Sequence, residues 1–276
     1  MIKDAVKLDA LEETLVSGIR DFMKNCGFSR GHLGFSGGID SALVAYLAAK
    51  AIGADRITGI IMPSRYSSRH SKEDAALLAA NLGCRYEILP IEECFSAFLS
   101  TLKDVFENHP FDVTEENLQA RIRGVLLMAF SNKFNSMLFT TGNKSEIAMG
   151  YCTLYGDTCG ALAPIGELFK TEVFALCRRI NERSMAYNGM EMIPKVIIDK
   201  PPSAELRPDQ KDSDSLPPYN VLDAILEHYL IGKVNRDGII EKGWGPELVD
   251  RIINTVVKME FKRRQLAPSL PVARDA

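Results

Sequence analysis

The chain has 276 residues, of which 46% are hydrophobic and 25% are charged, as is typical of a globular protein with a buried core. Its 33 Lys and Arg against 36 Asp and Glu give a net charge of -3, which argues against binding to nucleic acid or to an anionic membrane. The longest apolar run, 42–49, is too short to span a bilayer, and the acidic, amphipathic start is unlike a signal peptide. Six scattered cysteines without a C-x-x-C pair predict reduced thiols and a cytoplasmic location, and exclude a disulfide framework and a zinc ribbon.

The first half of the chain alternates between predicted helices and predicted strands. Apolar residues at helical spacing predict a helix over 4–26. Strands are expected at 32–35, 56–62, 86–89 and 137–141, and further helices at 41–53, 71–83, 91–107 and 114–134, with a short one around Glu146. This alternation predicts an α/β fold with a doubly wound parallel sheet, and such sheets bind ligands beyond the carboxyl ends of their strands.

The pattern changes after residue 164. A helix is predicted at 170–183, followed by a charged segment, 200–220, that contains five prolines. We interpret 200–219 as a loop, either a mobile cover or a disordered surface segment. Helices at 221–230 and 247–259 and a basic tail at 262–265 complete the chain. We therefore expect a single domain with an α/β core at about 28–185, the loop 200–219 and a helical C-terminal extension at 220–265.

The strongest motif is Gly34-Phe35-Ser36-Gly37-Gly38-Ile39-Asp40-Ser41, which lies between a predicted strand and a predicted helix. Adjacent glycines let several backbone N–H groups face one point at the positive end of the helix, an arrangement that suits a polyphosphate. Asp40 would repel phosphate unless a divalent cation bridges the two, which makes it a natural Mg²⁺ ligand. The alternative is a plain strand–helix turn in which Asp40 caps the helix.

This motif resembles the S-G-G-x-D-S loop of the ATP pyrophosphatases, which cleave ATP between its α and β phosphates. A second block resembles one branch of them, the NAD synthetases. It runs from Thr140 to Glu146 (TTGNKSE) and continues through 151–157 (YCTLYGD). The stretches 201–206 (PPSAEL) and 262–265 (KRRQ) match as well, so the resemblance covers nearly the whole chain. It implies an adenine nucleotide alpha hydrolase-like sheet.

The resemblance assigns roles to individual residues. It implies that ATP is bound by Gly34, Phe35, Ser36, Gly37, Gly38, Ile39, Asp40, Ser41, Thr141, Lys170 and Ser203, and Mg²⁺ by Asp40 and Glu146. It implies that the second substrate is bound by Asn117, Arg121, Tyr151, Cys152, Thr153, Leu154 and Lys262. From the residues alone, Glu146 would also fit a solvated first-turn position, Asn117 and Arg121 a surface helix pair, and Tyr151 a core aromatic.

The reaction that the resemblance implies is the amidation of deamido-NAD (nicotinic acid adenine dinucleotide) to NAD. The substrate carboxylate attacks the α-phosphate of ATP, which gives an acyl-adenylate and pyrophosphate, and ammonia then displaces AMP. Asp157 lies at the family position proposed to take a proton from ammonium, and Lys170 meets the phosphates. Gly156-Asp157 would equally fit a plain turn. The family also implies a homodimer.

Two positions depart from the short ammonia-dependent members. Leu154 replaces a lysine and Ala161 replaces an acid, and both changes resemble the synthetase half of the glutamine-dependent class. The chain opens directly on the synthetase part, and we find no Glu–Lys–Cys glutaminase constellation. We therefore expect the nitrogen to arrive as free ammonia or from a separate glutaminase chain. The competing functions are a tRNA-modifying pyrophosphatase, which the net charge of -3 and the single Trp244 argue against, and a non-catalytic nucleotide-binding module.

Overall fold

The computed structural model describes residues 1–107 and 109–274. Its sheet has four parallel strands, β1 (Gly31–Gly34), β2 (Ile57–Ile61), β3 (Arg85–Ile88) and β4 (Met137–Leu138), in the order β3-β2-β1-β4. Gly31 pairs with Ile57 on one side and with Met137 on the other, which places β1 at the centre. All four carboxyl ends therefore meet at one edge of the sheet.

Helix α1 (Ala5–Asn25) precedes β1, and the other helices lie between the strands or after the last of them. The others are α2 (Ile39–Ile52), α3 (Arg69–Leu82), α4 (Glu92–Leu102), α5 (Val113–Phe134), α6 (Lys144–Met149), α7 (Lys170–Asn188), α8 (Lys195–Asp199), α9 (Tyr219–Leu226), α10 (Arg236–Glu241), α11 (Pro246–Lys258) and α12 (Glu260–Arg263). A π-helical turn, Glu227–Ile231, continues α9. None of the described helices is long and apolar enough to cross a membrane.

The helices cover both faces of the sheet, so the predicted doubly wound α/β fold is confirmed. On one face, α1, α2, α3 and α7 enclose a core that includes Leu15, Ile19, Leu43 and Leu47, each 0% exposed. On the other face, α4 and α5 pack against β2 and β4 through a smaller cluster that includes Phe95. Burial of these side chains from both directions explains the nearly continuous apolar character of β2.

The C-terminal helices form a separate apolar cluster near the carboxyl edge of the sheet. Val249, Ile252 and Val256 lie at helical spacing on α11 and pack with α9 and α6. Because α6 follows β4 and also carries predicted site residues, this extension is positioned to support the site.

Several element bounds differ from the sequence-based prediction. The last strand ends at Leu138 rather than 141, because its register with β1 ends at the pair His32 and Leu138 and Phe139 forms an isolated bridge with Leu162. Helix α4 ends at Leu102 rather than 107, since the next apolar residue, Val105, is 73% exposed and has no core to bury in. Helix α7 continues five residues beyond the predicted 183, to Asn188. The sequence patterns did not predict α8, α10 and α12, which have five, six and four residues and are too short to show a helical period.

Candidate active site

The loop between β1 and α2 has the geometry of an anion cradle. Gly37 adopts a φ of +75°, and a Cβ at this position would lie 2.4 Å from the carbonyl oxygen of Ser71. Only glycine fits such a conformation so close to another backbone. Gly38 begins α2 without a side-chain cap, and its N–H donates to Ser36 Oγ at 3.1 Å. Ser36 Oγ also lies 3.0 Å from Ser41 Oγ, so the two hydroxyls and the positive end of the helix face the same space.

This loop opens into a cavity of about 310 Å³ at the carboxyl edge of the sheet. The walls contain every residue predicted to bind ATP, together with Glu146 and Asp157: Gly34, Phe35, Ser36, Gly37, Gly38, Ile39, Asp40, Ser41, Thr141, Lys170 and Ser203. The structure thus brings the predicted ATP-binding residues together from four separate parts of the chain. These parts are the loop 34–41, Thr141 just after β4, the start of α7 and the segment 200–219.

Two carboxylates and one ammonium group meet at the floor of the cavity. Lys170 Nζ lies 2.5 Å from Asp40 Oδ2 and 2.8 Å from Glu146 Oε1, and its side chain is 2% exposed. Burial alone would lower the pKa of Lys170, but the two carboxylates outweigh burial and raise it. Burial raises the pKa of Glu146, the nearby ammonium opposes that rise and Asp40 adds to it.

This cluster suits a magnesium ion. The oxygens of Asp40 and Glu146 converge on one cation, and Mg²⁺ in proteins is commonly held by one or two carboxylates that leave its other positions to water and substrate phosphates. Within 1–107 and 109–274, no three side chains of His, Cys, Asp or Glu converge into a site that could hold a metal ion without such help. The donor set therefore fits a metal that arrives with a nucleotide.

Hydrogen bonds from α6 hold these groups in place. Asn143 caps α6 by accepting the N–H of Glu146 at 3.0 Å, and its Nδ2 donates to Asp40 Oδ1 at 3.0 Å. Ser145 Oγ accepts the N–H of Lys170 at 2.9 Å and donates to Asp223 Oδ1 at 2.5 Å. The C-terminal extension thus reaches the site through Asp223, which is 0% exposed.

Asp157 also lines the cavity. Its carboxylate is accessible from the cavity, yet protein atoms crowd it, and it accepts the backbone N–H of Thr153 at 2.7 Å. This crowding raises its pKa to about 6, against the opposing effect of the hydrogen bond. A carboxylate with such a pKa is a competent proton acceptor near neutral pH.

Residues 200–206 and Asp212 of the segment 200–219 line the cavity, and the segment is attached on two sides. Glu205 accepts hydrogen bonds from Ser71 Oγ at 2.6 Å and from Ser68 Oγ at 3.1 Å, at the first turn of α3. On the other side, Gln119 Nε2 of α5 donates to the carbonyl of Leu206 at 2.9 Å. These contacts argue against a disordered surface segment, and the interpretation of the segment as a cover stays a prediction.

The residues predicted to bind the second substrate form a second cluster. Asn117 Oδ1 accepts from Thr153 Oγ1 at 2.7 Å, and Arg121 Nε donates to the carbonyl of Leu154 at 3.2 Å. Lys262 Nζ donates to the carbonyl of Cys152 at 2.6 Å. Of the residues predicted to bind the second substrate, Tyr151 and Cys152 line the cavity. Five others lie outside the cavity wall: Asn117, Arg121, Thr153, Leu154 and Lys262. The predicted ligands therefore lie on both sides of the loop 151–157.

The sequence reasoning assigned no role to five charged residues that line the cavity, and three of them make notable contacts. Arg123 lies two positions after Arg121 on α5 but faces the cavity, and its Nε donates to the carbonyl of Met62 at 3.0 Å. Asp212 accepts from Tyr219 Oη at 2.8 Å, and the same hydroxyl lies 3.3 Å from Glu146 Oε1. Glu205 is the third. The many charged residues in 200–214 were visible in the sequence, but only the fold shows which of them face the cavity.

Comparison with known families agrees with this geometry. The sequence model of the NAD synthase family matches residues 11–266. The chain belongs to the NAD synthase family.

Individual relatives extend this finding. The chain is 49% identical over 271 residues to a glutamine-dependent NAD(+) synthetase of Synechocystis sp., covering 98% of this chain and 48% of that protein. It is 51% identical over 257 residues to that of Rhodobacter capsulatus, covering 92% and 47%. The chain thus spans about half the length of the curated relatives it matches.

Solved structures show the same fold. The synthetase from Acinetobacter baumannii in complex with ADP, a glutamine-dependent enzyme, superposes with a TM-score of 0.67 at 41% identity, over 96% of this chain and 46% of that one. An NH3-dependent NAD synthetase of Campylobacter jejuni gives 0.73 at 28% identity, over 97% and 99%. An NMN synthetase of Francisella tularensis gives 0.76 at 28%, over 98% of each chain.

Proposed function

We propose that this chain is an ATP-dependent ligase that converts deamido-NAD to NAD, with ammonia as the nitrogen donor and AMP and pyrophosphate as products. The observation that carries the proposal is the convergence of Asp40, Glu146 and Lys170 beside the glycine-rich loop, within one cavity that also contains Asp157. Phosphate-binding groups, metal-binding carboxylates and a proton acceptor are the three parts that this chemistry requires.

A carboxylate cannot exchange oxygen for nitrogen directly, because oxide is a very poor leaving group. The loop 34–41 would bind the phosphates through its N–H groups, its hydroxyls and the start of α2, and would stabilise the charge that develops as pyrophosphate leaves. Asp40 and Glu146 would hold Mg²⁺, which as a Lewis acid would neutralise negative charge on the phosphate oxygens. Lys170 and Ser203 would contact the same phosphates, and Thr141 would contact the nucleotide. The substrate carboxylate then carries AMP, which leaves readily.

The second half of the reaction needs neutral ammonia. Asp157, with a pKa of about 6, would accept the proton of ammonium inside the cavity. The acyl-adenylate is sensitive to water, so the cover 200–219 would exclude solvent while ammonia attacks. Asn117, Arg121, Tyr151, Cys152, Thr153, Leu154 and Lys262 would position the dinucleotide on both sides of the loop 151–157.

The direct test is an assay of NAD formation by the purified chain with different nitrogen donors. We expect NAD to form from deamido-NAD, ATP and ammonium chloride, and none to form with glutamine alone. That result would mean that glutamine can serve as the nitrogen source only when a separate glutaminase chain releases ammonia from it. Turnover with glutamine alone would contradict the assignment of the nitrogen source.

The acceptor is tested in the same assay. Nicotinic acid mononucleotide replaces deamido-NAD in a parallel reaction, because one structural neighbour is an NMN synthetase. We expect amidation of the dinucleotide to exceed that of the mononucleotide. Preference for the mononucleotide would overturn the substrate assignment, and absence of ATP cleavage with either would overturn the function.

We also propose that the chain forms a homodimer in the cytoplasm. Large apolar side chains remain exposed along α5 and the preceding segment: Phe98, Val105, Phe111, Val113, Val125, Met128 and Phe134. Exposed apolar surface is what a contact with a second copy would bury, and we assign these side chains to that contact. In sedimentation velocity, Val125→Asp should dissociate the dimer, whereas Val257→Asp, at a position 59% exposed on α11, should not. A monomeric wild-type chain would contradict this proposal.

A further inference from the structure

Lys170 occupies the place where the two metal-binding carboxylates meet. Its ammonium contacts Asp40 Oδ2 at 2.5 Å and Glu146 Oε1 at 2.8 Å, and it lies 5.3 Å from the ring centre of Tyr219. The side chain is 2% exposed, so water hardly reaches it. The ammonium is thus enclosed by two carboxylates and an aromatic face, a complete set of partners for a buried cation.

A metal ion and this ammonium cannot share the position. Asp40 cannot readily turn away, because Asn143 holds its other oxygen, Oδ1, at 3.0 Å. Glu146 belongs to the first turn of the same helix that Asn143 caps. The lysine, in contrast, carries its charge on a flexible four-carbon stem. When a divalent cation binds both carboxylates, Lys170 is therefore the group that must move.

Charge balance indicates when that move is favourable. Two carboxylates and one ammonium leave a net charge of about -1 at the cluster, whereas adding a divalent cation beside the ammonium would place two cations in contact in a poorly solvated site. A displaced ammonium needs a new anionic partner, and the phosphates of a nucleotide in the loop 34–41 would provide one.

We propose that Lys170 is a resident counter-cation that prevents the free protein from binding Mg²⁺ at Asp40 and Glu146, and that it exchanges its carboxylate partners for nucleotide phosphate when metal and ATP enter together. This proposal rests on the proposed function for the identity of the nucleotide. It predicts that metal binding depends on the nucleotide.

The test measures Mn²⁺ binding by electron paramagnetic resonance with the full chain and no substrate. Wild type should show no saturable site without nucleotide and one site with α,β-methylene-ATP, an analogue that cannot be cleaved at the relevant bond. Lys170→Gln should bind Mn²⁺ without nucleotide about tenfold more tightly than wild type, or better, because the competing charge is gone. Lys170→Arg keeps the charge and should still exclude the metal.

A second readout is thermal unfolding. Lys170→Gln leaves two half-buried carboxylates without a cation, so its Tm should fall and should recover when Mg²⁺ alone is added, whereas the Tm of wild type should not respond to Mg²⁺ alone. The double variant Asp40→Asn, Lys170→Gln should lose the Mg²⁺ response.

Saturable Mn²⁺ binding by wild type without nucleotide would overturn the proposal. This measurement needs only the wild-type protein, so it tests the proposal even if Lys170→Gln does not fold. Equal affinity of wild type and Lys170→Gln would overturn it too. Neither Mn²⁺ binding nor thermal unfolding depends on the formation of NAD. A failure of this proposal can therefore be distinguished from a failure of the proposed function.

Discussion

Asn143 Nδ2 donates a hydrogen bond of 3.0 Å to Asp40 Oδ1 across 103 residues of the chain. Through its Oδ1 the same amide caps α6 and so positions Glu146. One fully buried side chain thus fixes the relative position of the two carboxylates, one from α2 and one from α6. In the sequence, Asn143 is only a turn residue after a strand.

We expect Asn143→Ala to weaken both stability and nucleotide binding. Loss of the cap and of the bond to Asp40 should lower the free energy of unfolding by about 1–3 kcal/mol, measured by urea denaturation. With Asp40 free to turn, the KM for ATP at fixed Mg²⁺ should rise in an assay of pyrophosphate release.

Asn235→Ala is the matched control, because Asn235 caps the short helix α10 by accepting the N–H of Gly238 at 3.0 Å. It should cost about 1 kcal/mol of stability and leave the KM for ATP unchanged. A normal KM in Asn143→Ala would show that Asp40 does not need this support.

Glu205 attaches the segment 200–219, our proposed cover, to the start of α3. Burial opposes its ionisation, but hydrogen bonds from Ser71 and Ser68 and the charge of Lys200 lower its pKa, so the side chain is an anion held by three partners. Hydrogen bonds to a charged group contribute about 1.5–3 kcal/mol, which corresponds to roughly tenfold or more in the population of the open form.

Glu205→Ala should therefore release the cover. We expect faster tryptic cleavage within 200–219 and, during turnover, more AMP released per NAD, because the exposed acyl-adenylate hydrolyses. Asp209→Asn, an exposed position in the same segment, should change neither quantity. Unchanged cleavage in Glu205→Ala would mean that other contacts, such as that of Gln119 with Leu206, suffice to hold the segment.

The parts of the fold that follow from periodic patterns were predicted well. The buried strands β1 and β2 and the long helices α1, α2 and α5 have enough residues for their spacing to be clear, and their order determines a parallel sheet. Short elements could not be predicted in this way. Helix α8 has five residues, so its formation depends on tertiary contacts of Ile197 and Ile198.

The location of the candidate site was predictable where the motif itself carries the chemistry. The glycine-rich loop and Asp40 belong to this part, since backbone geometry and charge point to a phosphate and a cation. The side of a helix on which a charge lies is a different matter. Both Arg121 and Arg123 occur in the same turn of α5, and only packing of the helix against β4 shows that Arg123 is the one that enters the cavity.

The pH dependence should follow Asp157. An acid with a pKa of about 6 is ionised at neutral pH and loses its ability to accept a proton as the pH falls through 6. Amide formation with ammonium should therefore decline below about pH 6, while adenylation, measured as exchange of pyrophosphate into ATP in the presence of deamido-NAD, should not show this limb.

Asp157→Asn separates the two steps further. Asparagine can still accept the N–H of Thr153, so the loop should keep its shape, whereas amide formation with ammonium should fall by about 10²-fold or more. Hydroxylamine needs no deprotonation near neutral pH, and it should restore product formation as the hydroxamate. If hydroxylamine and ammonium are affected equally, Asp157 is not the proton acceptor.

Arg123 is a cation kept in the cavity at a cost in stability. Burial lowers its pKa to about 10, and no carboxylate of the described residues lies within ion-pair distance of its guanidinium. A half-buried charge that has a carbonyl but no anion beside it is unfavourable, so its retention is explained if an anionic ligand completes the site. We expect Arg123→Met to raise the Kd for ATP by about 10-fold or more in calorimetry, and to leave the Tm of the unliganded protein equal or higher.

Arg121→Met provides the matched comparison, since it removes the same side chain from the exposed face of the same helix, where Arg121 contacts the carbonyl of Leu154. This variant should weaken deamido-NAD binding and leave the Kd for ATP unchanged. The two arginines would then divide the two substrates between opposite faces of α5. An unchanged Kd for ATP in Arg123→Met, or a large loss of Tm, would instead make Arg123 a structural support for the carbonyl of Met62.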